Sequence, residues 1–371
     1  MKLQTRWIPS ALLAILVASA APASLVAQDR VILRRGSPVV GKVQSEDYQE
    51  VRIKARRGAL KVIPSERVAD ILRDGAPESY REGRVALQKG DLKNAEKLLQ
   101  AAAVDSKESW VKEYATFYRA EALRAAGRFD EAVKAYEKVL SINAKSRFLP
   151  QVRLDIARAL AAAGQRDKAM TALDAFVKEV NQKSLPESYS LDARGMLGRL
   201  FSRMGRHEEA AASFAGVVRA AESLLNKARE EHEKAAFKEI ILAAQRDLGT
   251  AYIKARKYSE AERTFSAIAR QSKGDPRAQA VAAIGRAEAE LGRGNADAAR
   301  VMLTDVLAVH FSAEAELPRA MWLLAQAYEK LAEAGEKGAR KRQRIYLRDL
   351  VEQYPGSDQA ADARKILGTR Q

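Results

Sequence analysis

Gly127-Arg128-Phe129-Asp130-Glu131-Ala132 decides the reading of this chain, because the phrase returns along its length. It stands earlier as Gly90-Asp91-Leu92-Lys93-Asn94-Ala95 and later as Gly164-Gln165-Arg166-Asp167-Lys168-Ala169. Three more copies end at Ala210, Ala261 and Ala299, so that successive alanines lie 37, 37, 41, 51 and 38 residues apart. Self-similarity at such a period marks a solenoid of stacked units, not two or three globular domains.

Other positions keep step with each alanine. Twelve residues before it stands a small residue: Gly83, Ala120, Ala157, Gly198, Gly249 or Ala287. Nine before it the middle four copies place Leu123, Leu160, Phe201 and Tyr252, while Ala86 and Glu290 are weak. Four after it come Leu99, Tyr136, Leu173, Phe214, Phe265 and Leu303, and seven after it Ala102, Val139, Phe176, Val217, Ile268 and Val306. Small residues let two helices cross closely, a glycine ends the first helix, and large residues fill the layer between hairpins.

Together these positions resemble the tetratricopeptide repeat, and the exported bacterial envelope type of that family in particular. The resemblance implies a mainly α fold, a right-handed α-solenoid of helical hairpins, with six repeats over residues 76–315. Two departures stand out. Arg256 occupies the turn-glycine place of the fifth copy, so that turn is expected to be less regular. The widest gap holds Leu225 to Lys234 with neither Pro nor Gly, which predicts lengthened helices and a projecting hairpin around residues 220–245. A degenerate seventh repeat and a capping helix are expected over 316–371, with a polar hinge at Glu333–Gln343 and a second helix from Ile345 to Tyr354. The "YP-x-S" ending at Tyr354-Pro355-Gly356-Ser357, followed by Ala360, Ala363 and Leu367, resembles the terminal units of such envelope proteins.

Residues 28–75 read differently. Val31-Ile32-Leu33, Val39 to Val43, Val51 to Lys54 and Ala59 to Ile63 are short β segments separated by Gly turns, and Glu66 to Leu72 reads as a short helical turn with Val68 and Ile71 inward. The order resembles a small SH3-like or Sm-like β-barrel. Arg34, Arg35, Lys54, Arg56 and Arg57 could form a polyanion patch here, but a solvated face is the plainer reading. No aromatic residues alternate with these charges as a base-stacking platform requires, which disfavours nucleic acid.

Ahead of this segment, Lys2 and Arg6 precede an apolar run from Ile8 to Ala20, and Leu25-Val26-Ala27 before Gln28 fits a leader-peptidase site, with a rival cut after Ala20. Residues 1–27 therefore read as a signal peptide, the mature chain as periplasmic or envelope-associated. No later stretch has the length of a membrane span.

The 371 residues are 47% hydrophobic and 30% charged, with a net charge of +16 and only 6% aromatic residues. The chain lacks cysteine, which removes disulfides, cysteine nucleophiles and thiolate metal sites. His207, His232 and His310 are isolated, and no serine elbow, phosphate-binding glycine loop or paired metal-binding histidines occur. The expectation is a non-enzyme with no catalytic residue, cofactor or metal.

The resemblance implies that first helices line an inner surface and that ligands meet fixed positions on it. Those positions hold Arg84, Arg124, Arg158, Arg199, Arg203, Arg246 and Lys254, with Glu121, Asp192 and Glu288 as acidic counterweights. Tyr80, Tyr114 and Phe117 would add flat apolar contacts near the N-terminal end. Such a groove would suit an acidic peptide or a C-terminal carboxylate. The function expected is a protein–protein interaction scaffold of the cell envelope; the alternative is an adaptor for anionic glycan or peptidoglycan.

Overall fold

The computed structural model describes residues 28–55 and 58–368. The signal-peptide reading of residues 1–27, and Arg56 and Arg57 of the basic patch, fall outside the described residues. The chain divides into two compact units, Met1–Pro77 and Glu78–Gln371.

Among the described residues the first unit holds five strands, β1 (Asp29–Leu33), β2 (Val39–Glu46), β3 (Glu50–Ala55), β4 (Leu60–Pro64) and β5 (Val68–Leu72). They form one antiparallel sheet in the order β4-β3-β2-β1-β5. Alternation puts Val31, Val43, Val51, Ile53 and Ile63 on a common buried face with Val68 and Ile71. The expected barrel is not formed. β4 and β5 sit at opposite edges of the sheet without pairing, so the sheet is open.

The helical turn expected at Glu66–Leu72 is also corrected. It is a 3-10 turn at Ser65–Arg67 followed by β5. Val68 and Ile71 do point inward at a spacing of three, and the cause is a register shift: Ile32 pairs with Asp70 but Leu33 with Val68, so β5 carries an extra residue. Asp29 closes the unit. Its carboxylate accepts from the Val43 amide at 2.8 Å and from the Asp74 amide at 2.9 Å.

The described residues of the second unit form seven antiparallel hairpins and a closing helix. The pairs are α1 (Glu78–Gln88) with α2 (Leu92–Asp105), α3 (Ser109–Ala125) with α4 (Phe129–Ile142), α5 (Leu149–Ala162) with α6 (Arg166–Gln182), and α7 (Ser188–Arg203) with α8 (His207–Lys227). Then come α9 (Glu231–Lys254) with α10 (Tyr258–Gln271), α11 (Pro276–Arg293) with α12 (Ala296–Val309), and α13 (Leu317–Glu333) with α14 (Ala339–Gln353). Helix α15 (Asp358–Gly368) packs on α14 and α13, covering the last apolar face with Ala360 and Ala363. The polar hinge is shorter than expected, because α14 begins at Ala339.

All six anchoring alanines are fully buried, and the residues four and seven positions later fill the core beside them. The small positions are sterically required. A Cβ on Gly198 would stand 2.7 Å from Phe214, and one on Gly249 2.5 Å from Phe265. The turns share one geometry. Gly127 donates to the Arg124 carbonyl and Arg128 to Leu123, with Gly127 at φ 76°. The fifth turn does not depart from this: Arg256 donates to Ile253 and Lys257 to Tyr252, with Arg256 held at φ 60°. The expected irregularity is absent, and a non-glycine residue is strained in its place.

Helices α8 and α9 have 21 and 24 residues, against 14 in α10 and α12. The chain reverses at Ala228–Glu230, so the excess length is an antiparallel extension of this hairpin.

Candidate functional site

First helices pack against the next first helix at α1–α3, α5–α7, α9–α11 and α11–α13, and second helices make no comparable contacts. The first-helix layer is therefore the tighter, inner side of the array. The residue just after each small anchor falls in one row on it: Arg84, Glu121, Arg158, Arg199, Thr250 and Glu288.

The electrostatics of that row are local. Arg124 donates to Glu121 at 2.8 Å and to the Tyr136 hydroxyl at 3.2 Å, and Tyr136 in turn donates to Glu121. Burial opposes the charge of Arg124, but Glu121 outweighs it and raises the arginine above its ordinary range. Arg158 donates to Asp155 at 2.6 Å. Burial, reinforced by the neighbouring Glu121 carboxylate, pushes Asp155 up to about 6 against the pull of Arg158 and Arg124.

On α7 the balance tips towards positive charge. The Arg199 guanidinium lies along its own helix towards Gly195. Loss of solvent lowers its pKa; Asp247 and Asp192 oppose this, while Arg158 and Arg203 add to it. Arg158 and Arg203 thus both lie within electrostatic reach of Arg199. Arg246 sits 3.5 Å from Asp247. Among the described residues no carboxylate lies within ion-pair distance of Arg203 or Lys254. Further along, Arg319 on α13 binds Glu288 on α11 and approaches Thr250 on α9 at 3.5 Å. These ties lock three first helices together and consume the charge there.

The aromatic part of the expected groove is corrected. Tyr80, Tyr114 and Phe117 are 4%, 0% and 3% exposed, so they are core and not groove lining. They belong to a ring cluster in which Phe117 stacks on Phe148 at 4.0 Å and Tyr114 meets Phe148 edge-on at 4.7 Å. Arg84 lies over Tyr118, 4.2 Å from its centroid, and Arg147 over Phe148 at 4.6 Å. Tyr118 and Trp110, both partly exposed, are the aromatic residues sequence reasoning missed. Asp155 and Asp247 were missed too; Asp155, three residues before Arg158, carried the helical ion-pair spacing that could have shown it.

Among the described residues no cluster of His, Asp or Glu could hold a metal ion. Two open hollows are shaped by Lys93, Glu96 and Val104 on α2 and by Lys134, Glu137 and Leu160 at α4–α5.

A layered stack of antiparallel hairpins, each closed by a left-handed turn residue, defines an α-solenoid. The chain belongs to the tetratricopeptide-repeat family. Three models of the tetratricopeptide repeat match it, one at residues 80–147 and 246–300, one at 123–185 and one at 191–224, together just over half its length. These matches carry the repeat and no envelope subtype, so the narrower resemblance is reduced to the repeat family.

No curated protein matches the sequence. Among solved structures, the C-terminal part of a TPR repeat-containing protein from Cytophaga hutchinsonii is 14% identical, with 76% of this chain and 98% of that one covered at a TM-score of 0.50. The apo form of RapI is 11% identical, with 79% and 80% covered at 0.51. A tetratricopeptide repeat protein from Parabacteroides merdae is 17% identical, with 79% and 98% covered at 0.48. The first two show the helical fold alone. The protein is a repeat scaffold of the kind that serves protein–protein interaction.

Proposed function

We propose that the first-helix face of α5, α7 and α9 binds an acidic segment of a partner protein. The observation that carries this is the gathering of Arg158 and Arg203 about Arg199, with Lys254 nearby in the repeat order and Arg203 and Lys254 left without carboxylate partners. Helix α7 has three arginines, Arg194, Arg199 and Arg203, against one acid, Asp192, so its surplus charge is +2. An anionic side chain or terminal carboxylate placed among these guanidiniums would relieve their mutual repulsion. The leader-like sequence of residues 1–27 supports an exported setting for this binding, which N-terminal sequencing of the protein from its native host would test.

The binding test uses a fluorescent hexaglutamate peptide with a free C-terminal carboxylate. Binding is expected to weaken with salt and to fall by at least about tenfold in Arg199→Glu/Arg203→Glu, a loss of roughly 1.4 kcal/mol. Equal affinity of the variant and the unmodified chain would overturn the reading.

A further inference from the structure

We propose that the outward face of α14, with exposed apolar residues of α12 and the loop after it, docks on an anionic lipid bilayer. The charge distribution over the second helices points there. Helix α14 has Arg340, Lys341, Arg342, Arg344 and Arg348 against Asp349 and Glu352, a net +3. The other six second helices each net between −1 and 0. The +16 of the chain is therefore not spread evenly over this layer.

Within α14 the charges are sorted by face. Ala339, Gln343, Leu347 and Leu350 are buried. Arg340 and Arg342 turn towards Glu329 and Glu336, at 3.9 and 3.3 Å. Lys341, Arg344 and Arg348, at steps of three and four, form one exposed stripe roughly 10 Å long. Among the described residues none of the three has a carboxylate within ion-pair distance. Ile345, 44% exposed, stands beside them.

Helix α12 lies on the flank of α14 that carries Arg342 and Tyr346, beside the stripe's outward face and not within it. Arg300 of α12 lies within electrostatic reach of Tyr328 of α13, and Arg342 of α14 lies 5.8 Å from the same ring. Leu307 of α12 and Tyr346 of α14 pack into the same two core clusters. On α12 and just beyond it Val301, Val309 and Phe311 are 56%, 58% and 68% exposed, with Asp297, paired to Arg300, and Asp305 as the acidic residues of that outward row.

A basic stripe alone would suit any polyanion. Its combination with protruding apolar side chains selects a surface that offers anionic headgroups and, just beneath them, hydrocarbon. Clusters of four to eight Lys and Arg on a helix are the charge signature of contact with acidic phospholipid. A nucleic acid or an acidic peptide would satisfy Lys341, Arg344 and Arg348 but leave Phe311 and Ile345 without a partner. No described helix is long and apolar enough to cross a membrane, so the contact proposed is peripheral.

The test is co-sedimentation of the full chain with vesicles of phosphatidylcholine alone and of phosphatidylcholine and phosphatidylglycerol in equal parts. The phosphatidylcholine arm accounts for any insertion of the apolar run Ile8–Ala20. Stronger, salt-sensitive sedimentation with the anionic vesicles is expected, falling on the order of a hundredfold in Lys341→Glu/Arg344→Glu/Arg348→Glu. In an Arg199→Glu/Arg203→Glu background, which removes the first-helix site for acidic peptide, Phe311→Ser/Ile345→Ser should weaken vesicle binding and leave poly-L-glutamate binding unchanged. Arg199→Glu/Arg203→Glu should bind vesicles as the unmodified chain does, which separates this surface from the first-helix face. Equal sedimentation of the triple variant, or no preference for anionic vesicles, would overturn the proposal. Binding of poly-L-glutamate without vesicle binding would overturn it in favour of an acidic protein partner.

Discussion

Arg158 Nη1 donates to Asp155 Oδ1 at 2.6 Å across one turn of α5, and the two side chains are very unequally solvated, 34% and 4% exposed. The carboxylate is buried beside Glu121, so burial and like charge raise Asp155 to about 6 in the fold. Its unfolded value is near 3.9, so protonation favours the folded state. The stability tied to this group is full below about pH 4 and lost as pH rises through 6. Asp155→Asn removes that dependence. Relative to the unmodified chain, the variant should gain roughly 1–1.5 kcal/mol on going from pH 5 to pH 7.5, read as a widening difference in Tm. A difference that stays constant across this window would show that Asp155 titrates as an ordinary carboxylate.

Arg256 carries the φ of a left-handed turn at 60° where five equivalent positions have glycine between 74° and 94°. The hydrogen bonds of the turn are intact, so the strain is confined to this backbone. Arg256→Gly relieves it at the cost of a more flexible unfolded chain. A net gain of about 0.5–1 kcal/mol is expected in urea unfolding. A loss of stability would mean that the Arg256 side chain makes contacts worth more than the strain.

What was legible in the sequence follows from the same distinction between local and long-range causes. The alanine, glycine and bulky positions are dictated by close crossing within one hairpin, and Ala132, Ala120 and Tyr136 show it on a single stretch of chain. The open sheet was not legible, because which edge β5 joins depends on pairing with β1, almost forty residues earlier. Its bulge also gave Val68 and Ile71 a helix-like spacing. Tyr80, Tyr114 and Phe117 misled for a related reason. Their helix positions face the inner layer, but Phe148, brought in from the next hairpin, closes over Tyr114 and Phe117. The positive cluster on α7 was legible as residues, and so was Glu121 beside Arg124; Asp155, which pairs with Arg158, was overlooked although its spacing of three carried the signal.

Phe265 fills the space that two glycines leave on successive first helices. A Cβ at Gly249 would lie 2.5 Å from its ring, and one at Gly285 2.2 Å. Gly285→Ala therefore forces the ring out of the α9–α11 layer, with a loss of roughly 1–3 kcal/mol. Phe265→Leu in the same chain should restore part of that loss by vacating the space. Calorimetric Tm values for the two single variants and the double variant check this. An additive double variant would mean that the glycine and the ring do not compete.

Glu113 is buried on α3, and its two carboxylate oxygens accept from Asn143 Nδ2 at 2.8 Å and from Ser146 Oγ at 2.6 Å. The Ser146 hydroxyl oxygen then accepts from the Phe148 amide at 3.0 Å, which fixes the start of α5 and the ring that stacks on Phe117. The loop joining α4 to α5 is thus held by side chains of the preceding first helix, Glu113 and also Tyr114, whose hydroxyl accepts from Arg147 Nε at 2.9 Å. Glu113→Ala would leave buried donors on Asn143 and Ser146 unpaired, at a cost of about 2–4 kcal/mol. Glu113→Gln keeps one oxygen acceptor and should lose less. Both variants can be followed by urea unfolding and by the near-ultraviolet circular dichroism of the aromatic cluster, which should weaken in Glu113→Ala before the helical signal does. If Glu113→Ala instead unfolded at the same urea concentration as the unmodified chain with its near-ultraviolet signal intact, the loop would have to be held by the ring stack and the Arg147–Tyr114 bond.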